Sequence, residues 1–209
     1  MSIKSAFLAL LSERPMHGYQ LRQEFDSRTG GTWPLNIGQA YTTLQRLERD
    51  GLVQPLPAEG DAPETFALTD KGQAETEQWW HAPVQRDAPS RDELSIKLAL
   101  AVTIPGVDVS EVIQIQRTET LKTLRSYTQL KRSAAAPHEA AGTDLAWLLV
   151  LDSLIFKAEA EVRWLDHVEG TVIQSAQRDT GAPAQRNAAT PRTDLSAPTA
   201  ASSTAGRQR

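Results

Sequence analysis

Apolar positions recur every three to four residues through most of this chain, so the pattern predicts helices first. Ile3, Phe7, Leu10 and Leu11 form the stripe of a first helix that must stop before Pro15, because proline cannot continue it. The run His17 to Phe25 reads as a second short helix with Leu21 and Phe25 inward. Between Ile37 and Asp50, Ala40, Leu44 and Leu47 share one helical face, and Gly51 supplies the stop. Leu52 to Leu56 reads as a strand, Ala58 to Pro63 as a turn around Gly60, and Thr65 to Leu68 as the returning strand. Thr69 caps a helix reaching residue 81, with Asp70 in its first turn, where a carboxylate favours the dipole. After a linker from Val84 to Arg91, helices are predicted over 92–102, 110–132 and 143–169. Ser110 is the expected N-cap of the second, and 134–142 the loop before the third.

The order helix, helix, helix, hairpin, helix is that of a winged helix-turn-helix, whose third helix reads DNA. The polar side of that third helix suits the task. Gln39, Thr42, Thr43, Gln45, Arg46 and Arg49 lie off the apolar stripe, and carboxylates come only at the end, as Glu48 and Asp50. Gln and Arg pair with base edges, and Thr reaches bases or phosphates. Tyr41 near the start of this helix and Tyr19 near the start of the second can pack a ring and offer a hydroxyl to a phosphate. For both, a plain core tyrosine is the alternative. Trp33 is expected to plug the gap between helices two and three.

In the second half, Leu148, Leu151, Ile155, Ala158, Val162 and Leu165 alternate at spacings of three and four, the pattern of a helix lying along another helix. Periodicity alone does not separate a dimer seam from packing within one bundle. Three helices have too small a core to hide every apolar stripe, which favours a dimer. Trp147 and Trp164 are the candidate lining of an effector site for a planar aromatic small molecule; with Trp79 and Trp80 they are otherwise core or interface anchors. Asp152, Glu159 and Asp166 read as salt-bridge partners rather than a catalytic carboxylate pair. Residues 171–209 are rich in Ala, Thr, Ser, Pro, Gly, Gln and Arg, with few large aliphatics, which predicts a disordered tail. The expected division is 1–82 for the winged helix-turn-helix, 83–170 for a helical dimerisation and effector domain, and 171–209 for the tail.

Composition narrows the function. Without cysteine, disulfides and thiolate metal sites are excluded. No apolar run approaches bilayer length, and the N-terminus lacks the basic and apolar segments of a signal peptide, so no membrane partner and a cytoplasmic location are expected. His17, His81, His138 and His167 are far apart in sequence, and neither a glycine-rich phosphate loop nor a Gly-x-Ser-x-Gly motif occurs. No catalytic site, metal or cofactor is therefore expected. The net charge of −4 argues against sequence-blind affinity for nucleic acid. Residues 1–72 carry seven Lys or Arg against nine Asp or Glu, and the wing carries Glu59, Asp61 and Glu64 with no basic residue. Binding then depends on distribution, with Lys4, Arg22, Arg28, Arg46, Arg49 and Lys71 expected on one face.

The chain resembles the PadR-type transcriptional regulators in His17-Gly18-Tyr19, in Tyr41-x-x-Leu44-x-Arg46-Leu47-Glu48-x-x-Gly51-Leu52-Val53, in Leu68-Thr69-x-x-Gly72, and in Ala158-Glu159-x-x-x-Arg163-Trp164-Leu165. The order and spacing of these fragments cover about residues 1–170. The resemblance implies a mainly α fold with a small β-hairpin, the winged helix-turn-helix being followed by an α-helical dimerisation domain. It also implies a homodimeric repressor that binds operator DNA, often under a small-molecule effector. A homodimer in turn implies a palindromic operator. Wings in this family commonly carry Lys or Arg, and the acidic wing here departs from that. The departure favours one rival reading, a winged helix used as a protein-interaction module.

Overall fold

The computed structural model describes residues 3–57, 63–84, 91–134 and 141–181. The first helices are α1 (Ile3–Leu11), α2 (Gly18–Thr29) and α3 (Ile37–Arg49), followed by strands β1 (Val53–Leu56) and β2 (Thr65–Leu68) and helix α4 (Asp70–His81). Both α2 and α3 begin with reciprocal caps. The His17 imidazole accepts from the Gln20 amide while the Gln20 side chain accepts from the His17 amide, and Asn36 and Gln39 repeat the arrangement. Each box satisfies two backbone donors that a helix start leaves open.

The apolar stripes meet in one core. Phe7, Leu8, Leu10 and Leu11 of α1, Leu21 and Phe25 of α2, and Ala40, Leu44 and Leu47 of α3 are buried there with Leu52, Val53 and Phe66. The strands pair antiparallel with Val53 opposite Leu68 and Leu56 opposite Thr65. Met16 joins them, exchanging both backbone hydrogen bonds with Phe66 at 3.1 and 3.0 Å. Trp33 is not the plug before α3: it is exposed, and the buried residue there is Leu35. Gly51, at φ +70°, ends α3, and the Leu52 amide turns back to the Leu47 carbonyl at 2.9 Å. The start of α4 then lies on the hairpin. Thr69 Oγ1 donates to the Gly51 carbonyl and accepts from the Gly72 amide. A Cβ on Gly72 would overlap the Leu52 carbonyl, so only glycine allows this approach.

The remaining helices are α5 (Glu93–Ala101), α6 (Val109–Ala134) and α7 (Ala141–Gly181). Asp108, not Ser110, caps α6, accepting from the Glu111 amide at 3.0 Å. Of the expected loop over 134–142, residues 135–140 lie outside the described residues, and α7 already begins at Ala141. It continues past the expected end at 169. Residues 171–181, assigned to the tail by composition, are helical, and residues 182–209 lie outside the described residues. Ala, Gln and Arg favour a helix that is already nucleated upstream.

Helices α6 and α7 run antiparallel, tied by Gln114 to Glu169, Gln116 and Thr120 to Glu161, Arg117 to Asp166 and Glu169, and Lys131 to Asp152. Part of the stripe read from α7 packs within this chain, while Leu148, Ile155 and Val162 are half-buried. Leu151 and Leu165 are fully buried, and Leu165 shares a cluster with Leu98 of α5 and Ile113 of α6. What remains outward is a different face, with Leu145, Leu149 and Phe156 exposed. Among the described residues no helix is long and apolar enough to cross a membrane, and no group of three acidic or imidazole side chains is placed to hold a metal.

Candidate nucleic-acid interface

Burial of Ala40, Leu44 and Leu47 fixes the rotation of α3 and turns its opposite side to solvent. Gln39, Tyr41, Thr42, Gln45, Arg46 and Arg49 are exposed and Thr43 is half-buried. They are not equally available. The Gln39 carbonyl oxygen is held by the Asn36 amide, and the Thr43 hydroxyl donates to the Gln39 carbonyl at 2.8 Å. Both side chains therefore serve the helix itself. The side chains of Thr42, Gln45 and Arg46 have no hydrogen-bond or ion-pair partner among the described residues. At spacings of three and four residues they form one contiguous patch.

The two tyrosines take different positions. The Tyr41 ring lies over Gly18 at the first turn of α2, where an added Cβ would sit only 2.9 Å from ring carbon Cε1. The ring is anchored to the scaffold and half its surface stays open. Tyr19 is more exposed. Its hydroxyl accepts from Gln23 at 3.4 Å, its ring stacks beside His17, and the Arg22 guanidinium lies 5.5 Å from its centroid.

The basic residues do not gather as one free face. Arg28 binds Glu13 through both nitrogens at 2.6 Å and also reaches Glu24, which pairs with Arg14. These hydrogen bonds hold the Glu13 carboxyl below its ordinary range and raise Arg28. Arg22 pairs with Asp26. Asp50 collects Arg49 on its carboxylate at 3.0 Å and Lys4 at 3.6 Å, while Lys71 donates to its backbone carbonyl. The Arg49 hydrogen bond holds the Asp50 carboxyl below its ordinary range. Arg46 stands apart from all of this. The sequence reading missed this division because partners such as Glu13 with Arg28 are 15 residues apart, beyond any local pattern. Of the acidic wing residues, Glu59 and Asp61 lie outside the described residues, and Glu64 is exposed.

The candidate effector tryptophans are not brought together. Trp147 and Trp164 are 17 residues apart on α7, about 25 Å along the axis at 1.5 Å per residue. Trp164 packs against the cluster of Leu98, Ile113 and Leu165. Trp147 places its ring over Gly30 at the end of α2. Trp79 and Trp80 contact each other at 4.4 Å between centroids, both exposed at the end of α4.

Comparison with known proteins agrees with this architecture. Residues 7–78 match the transcriptional regulator PadR-like family, and residues 90–172 match the family described as virulence activator alpha C-term. The negative transcriptional regulator PadR of Bacillus subtilis is 24% identical over 174 residues, covering 79% of this chain and 94% of that protein. The fold is shared with B. subtilis PadR solved in complex with operator DNA, at 22% identity and a TM-score of 0.61 over 81% of this chain and 98% of the other. It is also shared with the same protein solved with p-coumaric acid (21% identity, TM-score 0.64, 81% and 98% covered). The Vibrio cholerae virulence activator AphA shares it too (21% identity, TM-score 0.61, 83% and 99% covered). The chain thus carries a PadR-like transcriptional regulator domain over its winged helix, followed by a virulence activator C-terminal match over the helices that follow.

Proposed function

We propose that the protein is a homodimeric repressor that binds a palindromic operator through α3 and is released by a planar aromatic molecule. One observation carries the reading: Arg46, unpartnered among the described residues, stands beside unpartnered Gln45 and Thr42 on the face opposite the buried stripe. A guanidinium left free in a domain where the other basic side chains are engaged is a preorganised donor for a guanine edge or a phosphate. Tyr41, its ring seated on Gly18, supplies a phosphate contact at the helix start, and Arg49 a secondary one after leaving Asp50. The reading is supported by the crystal structure of B. subtilis PadR with operator DNA, and the effector by that of the same protein with p-coumaric acid. Dimerisation is supported by the exposed apolar face of α7 at Leu145, Leu149 and Phe156.

The test is a mobility shift on DNA upstream of the protein's own gene. Arg46→Ala or Gln45→Ala is expected to weaken specific binding by about 1–3 kcal/mol, leaving affinity for unrelated DNA little changed for Gln45→Ala. Unchanged specific binding in both variants sinks the assignment. For the effector, phenolic acids are expected to quench tryptophan fluorescence and release the DNA in the same concentration range.

A further inference from the structure

Helix α2 is gripped at both ends by an aromatic ring laid on a glycine. At Gly18 the ring is Tyr41 of α3. At Gly30, the left-handed cap of α2 at φ +59°, the ring is Trp147 of α7, so close that an added Cβ would fall within the indole. Between these ends, Leu21 and Phe25 of α2 share the core with Ala40, Leu44 and Leu47 of α3. The ion pairs given above for α1 to α4 close among themselves, and those of α6 close on α7. The indole of Trp147 spans from the second group to the first.

We infer that Trp147 is a positioning residue: its contact with Gly30 holds the DNA-reading domain at a fixed angle on the helical domain. The mechanical path is short. α7 carries Trp147, Trp147 bears on the end of α2, and α2 is locked to α3 by the shared core and by Tyr41 on Gly18. A movement of α7 reaches the reading helix without bending either domain, because packed interiors shift as blocks. Glycine at position 30 is required twice, for the left-handed cap and for the seat of the ring. This inference rests on the reading of α3 as the DNA-binding helix of a dimer. In a dimer the two reading helices must meet grooves about 34 Å apart, so the angle set at Gly30 governs whether both engage at once.

The experiment compares the full-length protein and its Trp147→Ala, Trp147→Phe and Gly30→Ala variants on a full operator and on a half-site. Trp147→Ala is expected to lose about tenfold on the full operator while keeping half-site affinity within about twofold, the size of effect that coupling residues have. Gly30→Ala shifts the same way, and Trp147→Phe restores most of the affinity. Calorimetry of the same variants without DNA is expected to split one unfolding transition into two. Equal losses on half-site and full site, or an unsplit transition with full-site binding unchanged, overturn the inference. If wild-type protein gains nothing from a full site over a half-site, the dimeric-repressor reading fails instead, and the calorimetric result still decides the role of Trp147.

Discussion

At the scale of single residues, glycines and unpaired side chains carry more information than the apolar stripes. Gly72 is the clearest case. A methyl group there would overlap the Leu52 carbonyl, a backbone atom held in place because it also accepts from the Thr69 amide at 3.1 Å. Gly72→Ala is therefore expected to destabilise the winged domain by about 1–3 kcal/mol, against the small gain that Gly→Ala gives in an open helix. Chemical denaturation of the full chain measures it, and a neutral or stabilising result would show that α4 can lift off the hairpin. The fragment Leu68-Thr69-x-x-Gly72 was visible in the sequence, but its cause was not, since the contact joins Gly72 to a residue 20 positions earlier. Availability was equally hidden. Gln39, Thr43 and Arg46 look alike on a helical wheel, yet two are spent on the helix backbone and one is free. Local spacing tells which side a residue faces and says nothing of what it meets there.

At the scale of elements, periodicity located the helices and the hairpin because burying one face imposes a repeat on the sequence. The ends were less legible. His17 and Asp108 act as caps through side-chain geometry, and α7 outruns its last apolar residue because composition alone does not stop a helix. The α6–α7 pair owes its register to a polar seam. Arg117 joins Asp166 at 2.6 Å and Glu169 at 2.7 Å, with its Nε buried and without a hydrogen bond. The Arg117 hydrogen bond, followed by that from Gln114, holds the Glu169 carboxyl below its ordinary range. A carboxyl lowered on folding binds its proton more readily when unfolded. The stabilisation is thus complete above the unfolded value and is lost as pH falls from there through the lowered one. Arg117→Met is expected to lower the unfolding midpoint near neutral pH and to lose less further stability than the wild type on acidification through the carboxylate range. Parallel curves for the two proteins against pH would place the register elsewhere than in this seam.

At the scale of the whole molecule, the apolar residues of α7 divide into two faces with different fates. Leu151 and Leu165 face inward and satisfy the chain's own core. Leu145, Leu149 and Phe156 lie within about 40° of one another at 100° per residue and remain exposed, Leu149 and Phe156 by 62% and 64%. Among the described residues nothing covers this stripe, and a second copy is the cover that the dimeric reading assigns to it. The stripe read from the sequence, which includes Leu151 and Leu165, lies on the inward face, and periodicity alone leaves open whether it is seam or core. A carboxylate on the outer face discriminates between the two. Phe156→Glu removes no internal contact of note, so secondary structure and half-site affinity are expected to persist, while sedimentation shifts from dimer to monomer. Full-operator affinity should then fall to that of a half-site, since the second reading helix no longer arrives with the first. A variant that still sediments as a dimer would move the interface off this face of α7, and the spacing of the two reading helices would then have to be set by another surface.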